Sequence, residues 1–384
     1  MIGRLFPGTT LSRYMARKYL MTFLGVMAVM AGILLLVDMV EQVRRFSGRP
    51  LGFAQALQLA ALRMPSSLYA VLPLVALLST LAMFVGLARS SELVVTRAVG
   101  RSALRVVAAP ALVALVLGAA AVAVLNPVVA ATAKQYDQLA ARVGGADTSL
   151  MSVSRDGLWL REAAPESLPD SGTEPPGERQ RVIRATRASA DGTALHEVSI
   201  LAFARDGRPV RQIEAAEVRL RPGLWELHDA KSWTLTDPNP ERSATRAPLL
   251  ELPTELTPAA LRDSVGAPMT VPIWELPGFI AALDRAGFAA LEHRVWLQME
   301  LSLPVMLMAM VLVGAGFTLG HIRSGRQGMM VLMALIAGFC AFFLRDFTQV
   351  LGENAQIPVA LAAWSPPAVA ALLALALMLQ LEEG

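Results

Sequence analysis

The chain is poor in the residues that most chemistry needs. It has one cysteine, Cys340, so it can form no internal disulfide and no thiolate cluster for a metal. Cys340 reads as a small apolar residue inside a helix. The four histidines, His196, His228, His293 and His321, show no paired H-x-x-x-H spacing, which removes the usual mark of a histidine metal site. Only three lysines are present, Lys18, Lys134 and Lys231. None follows a glycine, so the chain has no Walker loop to wrap the phosphates of ATP. No G-x-S-x-G nucleophile elbow occurs either. Charge itself is scarce: 17% of residues are Asp, Glu, Lys or Arg, against about 25% in an ordinary soluble domain.

What fills the gap is apolar sequence, 54% of the chain. Six stretches carry no charge and are long enough to cross a bilayer, which takes about 20 apolar residues. They are Tyr19–Val37, Met64–Ala88, Val106–Ala133, Leu301–Gly320, Gln327–Leu344 and Asn354–Leu381. Backbone in lipid must satisfy its own hydrogen bonds, so each is read as a helix. The six runs hold no acid of the kind that marks an ion or proton path, which argues against ion-driven transport.

A pI near 9.3 suggests nucleic acid until the charge is divided. Residues 135–297 hold 18 basic and 23 acidic side chains, net −5, and the rest of the chain carries the excess, net +8. Positive charge beside apolar spans sets orientation, and no nucleic-acid partner is implied. Arg4, Arg13, Arg17 and Lys18 precede the first run. Arg89, Arg97, Arg101 and Arg105 follow the second, and Arg323 and Arg326 the fourth. The positive-inside rule puts all of these in the cytoplasm, with both termini there too. A signal-peptidase site at Val29-Met30-Ala31 would leave five spans; the apolar run continues unbroken through GILLLV, which argues against cleavage.

The expected division is a membrane half at 1–133, a domain outside the cytoplasm at 134–297, and a second membrane half at 298–384. Runs such as DGLWLRE and HEVSILAFARDG, punctuated by Asp-Gly and Pro-Gly turns, predict short strands of a sandwich, jelly roll or barrel. Alternation through Ile213, Ala215, Glu217 and Arg219, and through Leu224, Glu226 and His228, supports this. Trp159, Val198, Ile200, Phe203, Ile213 and Trp225 are the expected interior. PESLPDSGTEPPGERQ reads as a polar loop, and PIWELPGFIAALDRAG as a short amphipathic helix returning to the membrane. Pro73, Pro110, Pro304 and Pro366-Pro367 are expected to kink their helices. Gly316-x-x-x-Gly320 suits either close helix approach or ordinary glycine tolerance.

Two places carry candidate function. At the end of the first run, Asp38, Glu41 and Arg45 share a helix face, and Arg44 adjoins them. They suit interfacial anchoring or an anionic lipid headgroup gripped by arginine. Of the two arginines, Arg45 is expected to face inward, oriented by the acids of Asp38 and Glu41. Between the second and third runs, SSELVVTRAVGRS reads as a short helix at about 91–99. Ser91 is its cap, Glu92 suits its positive start and Gly100 its end. Leu93 and Ala98 beside Arg97 make it apolar enough either to lie on the membrane face or to dock into a soluble partner.

Together LSRYMARKYL, VDMVEQVRRF, LARSSELVVTRAVGRS and IPVALAAWSPP resemble the LptF/LptG permeases of lipopolysaccharide export, in an order that covers essentially the whole chain. The last of these motifs and the Glu41–Arg45 region are nearer the LptG side of that family. The resemblance implies a six-span α-helical membrane protein with a β-jellyroll-like periplasmic domain inserted between spans three and four. It implies an LptF-like permease as partner, two copies of the LptB ATPase beneath, and LptC and LptA as a bridge outward. Lipopolysaccharide would be the substrate, in the inner membrane. No cofactor is expected in this chain, and ATP and magnesium would belong to the ATPase. Ser91, Glu92, Leu93, Arg97, Ala98 and Gly100 would then form the coupling helix, and Arg44 and Arg45 match the family's basic headgroup residues. Where relatives often carry a further cation nearer the membrane, this chain has Asp38. Lys134 is an additional candidate contact. The rival class is a non-transporting envelope scaffold, which would need no coupling helix.

Overall fold

A computed structural model describes residues 9–46, 52–92, 102–144, 150–154, 157–163, 178, 180–189, 193–204, 207–237, 239–254, 256–257, 267–319 and 327–383. Leu93, Arg97, Ala98 and Gly100 lie outside them. So do most of the Pro-rich loop, Gly320, His321, and the topogenic Arg4, Arg101, Arg323 and Arg326. The chain divides into a helical unit (1–140, 272–274, 291–384) and a sheet unit (141–271, 275–290).

Among the described residues, the helical unit holds six helices long and apolar enough to span a membrane. Helix α1 (Thr9–Arg45) runs unbroken for 37 residues, about 55 Å at 1.5 Å per residue. The second expected span is shorter than its apolar run. Helix α2 (Phe53–Ala70) ends at a turn on Val71, and α3 (Leu72–Arg89) begins with Pro73 near its start. A proline lacks the amide proton that would bond back one turn, so it costs least where a helix begins; Pro65, Pro110, Pro304, Pro366 and Pro367 nonetheless lie inside their helices. Helix α4 (Ala103–Ala120) passes through a π-helical turn (Ala121–Leu125) into α5 (Asn126–Gly144).

After the sheet unit come α7 (Leu291–Leu319), α8 (Gln327–Glu353) and α9 (Val359–Glu383). Helix α7 is the centre of the unit: Met306, Leu307, Ala309, Met310, Val311 and Ala315 are fully buried among α3, α4, α8 and α9. Small residues let the backbones meet there. A β-carbon on Gly118 of α4 would stand 2.5 Å from Cα of Pro304 on α7. Gly316 faces Ala374, Leu377 and Met378 of α9 at ordinary contact distance, so it serves packing within the chain.

Among the described residues, the sheet unit is a seven-stranded antiparallel meander in which each strand pairs with the next. The strands are β1 (Leu150–Ser154), β2 (Gly157–Ala163), β3 (Gln180–Ala188), β4 (Ala194–Phe203), β5 (Pro209–Arg221), β6 (Leu224–Thr234) and β7 (Thr245–Pro253). Helix α6 (Leu276–Ala286) carries the expected amphipathic stripe, burying Leu276, Ile280 and Leu283. Gly287 ends it in the left-handed conformation at φ 86°.

The alternation read along β5 holds only halfway. Ile213 and Ala215 point inward, but the next inward residue is Val218, not Glu217. The inward positions step by three in β3 (Ala185, Ala188), β4 (Leu195, Val198) and β6 (Leu227, Ala230) as well. Thr186, Glu197, Ala216, Asp229 and Pro248 stand at one level across the sheet, and the pairing lapses there while the register continues unchanged. Each of the five strands β3 to β7 thus has one extra residue at the same level, and the sheet turns over there along a crease. Glu197 and Asp229 adopt φ of 54° and 53° to make the turn, a conformation that costs a non-glycine residue energy. On β6 the inward residues are Trp225 and Leu227 rather than Leu224, Glu226 and His228. Val198, Ile200, Ile213 and Trp225 form the interior as expected, whereas Phe203 is half-buried. Trp159 faces out, with the Arg184 guanidinium 5.4 Å over its ring.

Candidate functional site

The first site is built where α1, α2 and α5 meet. Arg45 donates to the Tyr136 hydroxyl on α5 at 3.1 Å, and that hydroxyl donates to Gln42 on α1 at 3.0 Å. Arg63 of α2 lies 5.8 Å from the centre of the same tyrosine ring. Asp38 is buried and does not orient Arg45. It accepts a hydrogen bond from Ser67 at 2.8 Å and lies 3.7 Å from Arg63. The acid on α1 is therefore matched by a cation from α2. Arg45 itself is exposed, as are Glu41, Arg44 and Lys134; what distinguishes it is its hydrogen bond to Tyr136. Lys134 is two residues from Tyr136, about 200° around the helix, so it does not join the cluster. Two arginines thus stand beside one tyrosine at a helix end, and guanidinium groups are suited to gripping phosphate through paired hydrogen bonds. Arg63 was not anticipated; the signal available for it was the amphipathic spacing in FAQALQLAALR.

The second site lies near the opposite end of α1. The Glu92 carboxylate accepts from the Tyr14 hydroxyl at 2.7 Å, from Lys18 at 3.1 Å and from Ser90 at 2.9 Å. These hydrogen bonds, Tyr14 first, hold its pKa below the ordinary carboxylate value. Ser91 does not take the extended backbone of an N-cap; at φ 59° it forms the left-handed turn that closes α3. The turn leading into the expected coupling helix is thus fastened to α1.

A third cluster was not foreseen. Glu300 on α7, Tyr69 on α2, Asn126 on α5 and Arg345 on α8 are all buried. The Tyr69 hydroxyl donates to Glu300. Glu300 and Arg345 each stand one residue outside a charge-free run, as Asp38 does, so the windows that defined the spans concealed them. The helical unit therefore contains buried acids after all.

In the sheet unit, Arg181 lies 3.8 Å from Glu162 and 3.3 Å from Glu178, and Arg211 lies 3.6 Å from Glu178. Thr254 and Trp225 donate to Glu162 at 2.8 and 3.3 Å. Burial pushes the Glu162 carboxyl up, and the Thr254 hydrogen bond and Arg181 offset it only in part. Two concavities also occur. One of about 720 Å³ follows the crease, floored by Ala215, Ala216, Ala230 and Ala247. The other, about 340 Å³ and almost wholly apolar, lies between α7, α8 and α9 beside Cys340. No group of three metal-binding side chains occurs among the described residues.

A family model described as lipopolysaccharide export system permease LptF/LptG matches residues 13–380. The chain is similar to the lipopolysaccharide export system permease protein LptG of Escherichia coli K12. The two are 26% identical over 378 residues, which covers 96% of this chain and 95% of that one. It is also similar to the protein of the same name from Haemophilus influenzae Rd, at 22% identity over 91% of each chain.

Proposed function

The chain belongs to the LptF/LptG family of lipopolysaccharide export permeases, and from that premise we propose that it is the LptG-type half of an ATP-driven exporter. In this reading it lies in the inner membrane with both termini in the cytoplasm. It pairs with an LptF-like permease over two LptB ATPase subunits that hold ATP and magnesium. The sheet unit stands in the periplasm as a jellyroll-like module leading through LptC to LptA. The observation that carries the reading is the family match from residue 13 to 380, which takes in all six candidate spans and the sheet together.

The geometry suggests how this chain would work. Lys18 and Arg45 are 27 residues apart on one continuous helix, about 40 Å. Glu92 ties the cytoplasmic turn to one end of that helix, and Arg45 stands with Arg63 and Tyr136 at the other. A push on the coupling segment by the ATPase would be delivered along α1 to the headgroup site. Arg45 and Arg63 would hold a lipid A phosphate while α1 and α8 present apolar side chains such as Leu36, Val40, Phe343 and Phe347 to the acyl chains or to the partner permease. Asp38 would set the position of Arg63.

Purification in mild detergent tests the reading. Recovery of an ATPase, a second similar permease and bound lipopolysaccharide is expected. Recovery of periplasmic partners with neither ATPase nor second permease would favour a scaffold instead.

A further inference from the structure

The buried cluster of Glu300, Tyr69, Asn126 and Arg345 is unused by the headgroup and coupling sites. Burying a carboxylate costs several kcal/mol unless it is well paired, and ionisable groups at membrane depth are rare where they do no work. Asn126 gives the cluster a second connection. Its side-chain oxygen accepts the backbone N–H of Ile273 at 2.9 Å in a buried position. The same side chain faces Glu300 and Tyr69. One residue on, the indole N–H of Trp274 donates to the carbonyl of Ala123 at 3.2 Å.

Ala123 lies in the π-helical turn. Such a turn widens the helix by one residue, disturbs the regular ladder and recurs at functional positions. Residues 272–274 group with the helical unit, although the residues on both sides of them, 141–271 and 275–290, group with the sheet unit. The chain thus returns to the helices for three residues, is fastened there by a side-chain oxygen and an indole, and continues into α6.

We propose that Asn126 is a positioning residue of the transport cycle, coupling the Glu300–Tyr69 pair to the Ile273–Trp274 segment. Movement of α7 or α8 against α2 changes the place of Glu300 and its partners, and Asn126 passes that change to the strand of chain entering α6. The side chains of Glu300 and Tyr69 both reach Asn126 and together restrict its orientation. This inference rests on the permease reading.

The test uses the assembled complex in lipid nanodiscs, with lipopolysaccharide delivery and ATP hydrolysis measured together. Hydrogen exchange across residues 268–276 is followed without nucleotide and after vanadate trapping. In the parent complex the exchange of this segment should differ between the two states. Asn126→Ala should speed it in both states and abolish the difference. The ATP consumed per lipid delivered should rise roughly three- to tenfold, as expected for losing one buried hydrogen bond. Trp274→Phe, which removes only the indole N–H, should shift both readouts in the same direction and serves as the deciding variant if Asn126→Ala fails to assemble. Parent exchange that is identical in the two states overturns the proposal. So do variants that exchange faster yet keep the parent ratio of ATP to lipid, because the contact is then structural only. A parent complex that delivers no lipid overturns the permease reading and this one with it.

Discussion

Arg45 and Tyr136, 91 residues apart in sequence, are joined by a 3.1 Å hydrogen bond that fixes the guanidinium at the end of α1. Tyr136 in turn lies beneath Arg63. A hydrogen bond to a charged group contributes about 1.5–3 kcal/mol, so Arg45→Glu should lower lipopolysaccharide crosslinking about tenfold or more. Arg63→Glu should act similarly. Arg44→Glu, about 100° around the helix from Arg45, should do much less. Tyr136→Phe keeps the ring under Arg63 but releases Arg45, so its effect should be intermediate. Photocrosslinking in a complex of parent composition measures all four. Parent-level crosslinking in both Arg45→Glu and Arg63→Glu would leave only an anchoring role.

Glu92 is the second test. An exposed ion pair adds at most about 1 kcal/mol to stability, so Glu92→Ala should leave the thermal midpoint nearly unchanged while lowering ATPase recovery. The carboxyl is held below its ordinary value. The contribution of its contacts is therefore complete above the unfolded carboxylate value of about 4.3 and disappears as pH falls through the lower folded value. ATPase recovery should be level between about pH 6 and 8. A fall inside that window would point to a different titrating group.

Glu162 has the opposite sign. Burial raises its folded value, so the protonated form is favoured by folding. The native sheet gains from that proton at pH below the unfolded value and loses the gain as pH rises through the folded one. Glu162→Gln should therefore protect β2 and β7 of the full-length protein relative to the parent, and more at neutral than at acidic pH. Hydrogen exchange, corrected for its intrinsic pH dependence, reads the difference. Equal protection at both pH values would show that Arg181 neutralises the carboxylate fully.

Gly118 offers a packing test. A methyl group there meets the Pro304 backbone, while one on Gly316 meets nothing closer than 3.5 Å. Overpacking of this kind costs about 1–3 kcal/mol. Gly118→Ala should lower thermal stability of the detergent-solubilised protein, and Gly316→Ala should be close to neutral.

The spans were legible because apolar composition is a local property, and six charge-free runs correspond to six long helices. The break at Val71 was not, because Pro73 sits inside an apolar run whose composition does not change across it. Helix α2 was missed for the same reason: its second half, from Met64, merges with α3 in one apolar run, and Arg63, just before that run, went with it. The contacts of Asp38 and Glu300 depend on helices distant in sequence, so no window around either residue contains Ser67, Arg63 or Tyr69. The strands were visible in their apolar spacing. The crease was not, since one extra residue in one strand looks like noise until its four neighbours have the same.

That shared extra residue has a consequence for how the sheet can change over generations. Deleting one residue from β5 alone would put every side chain beyond Ala216 on the wrong face and break the match with β4 and β6. Repairing it would need simultaneous deletions in the neighbouring strands. Strand ends and turns can be lengthened or trimmed one at a time, but the crease can be lost only all at once. Descendants of this sheet should therefore vary in outline while inheriting the fold line intact.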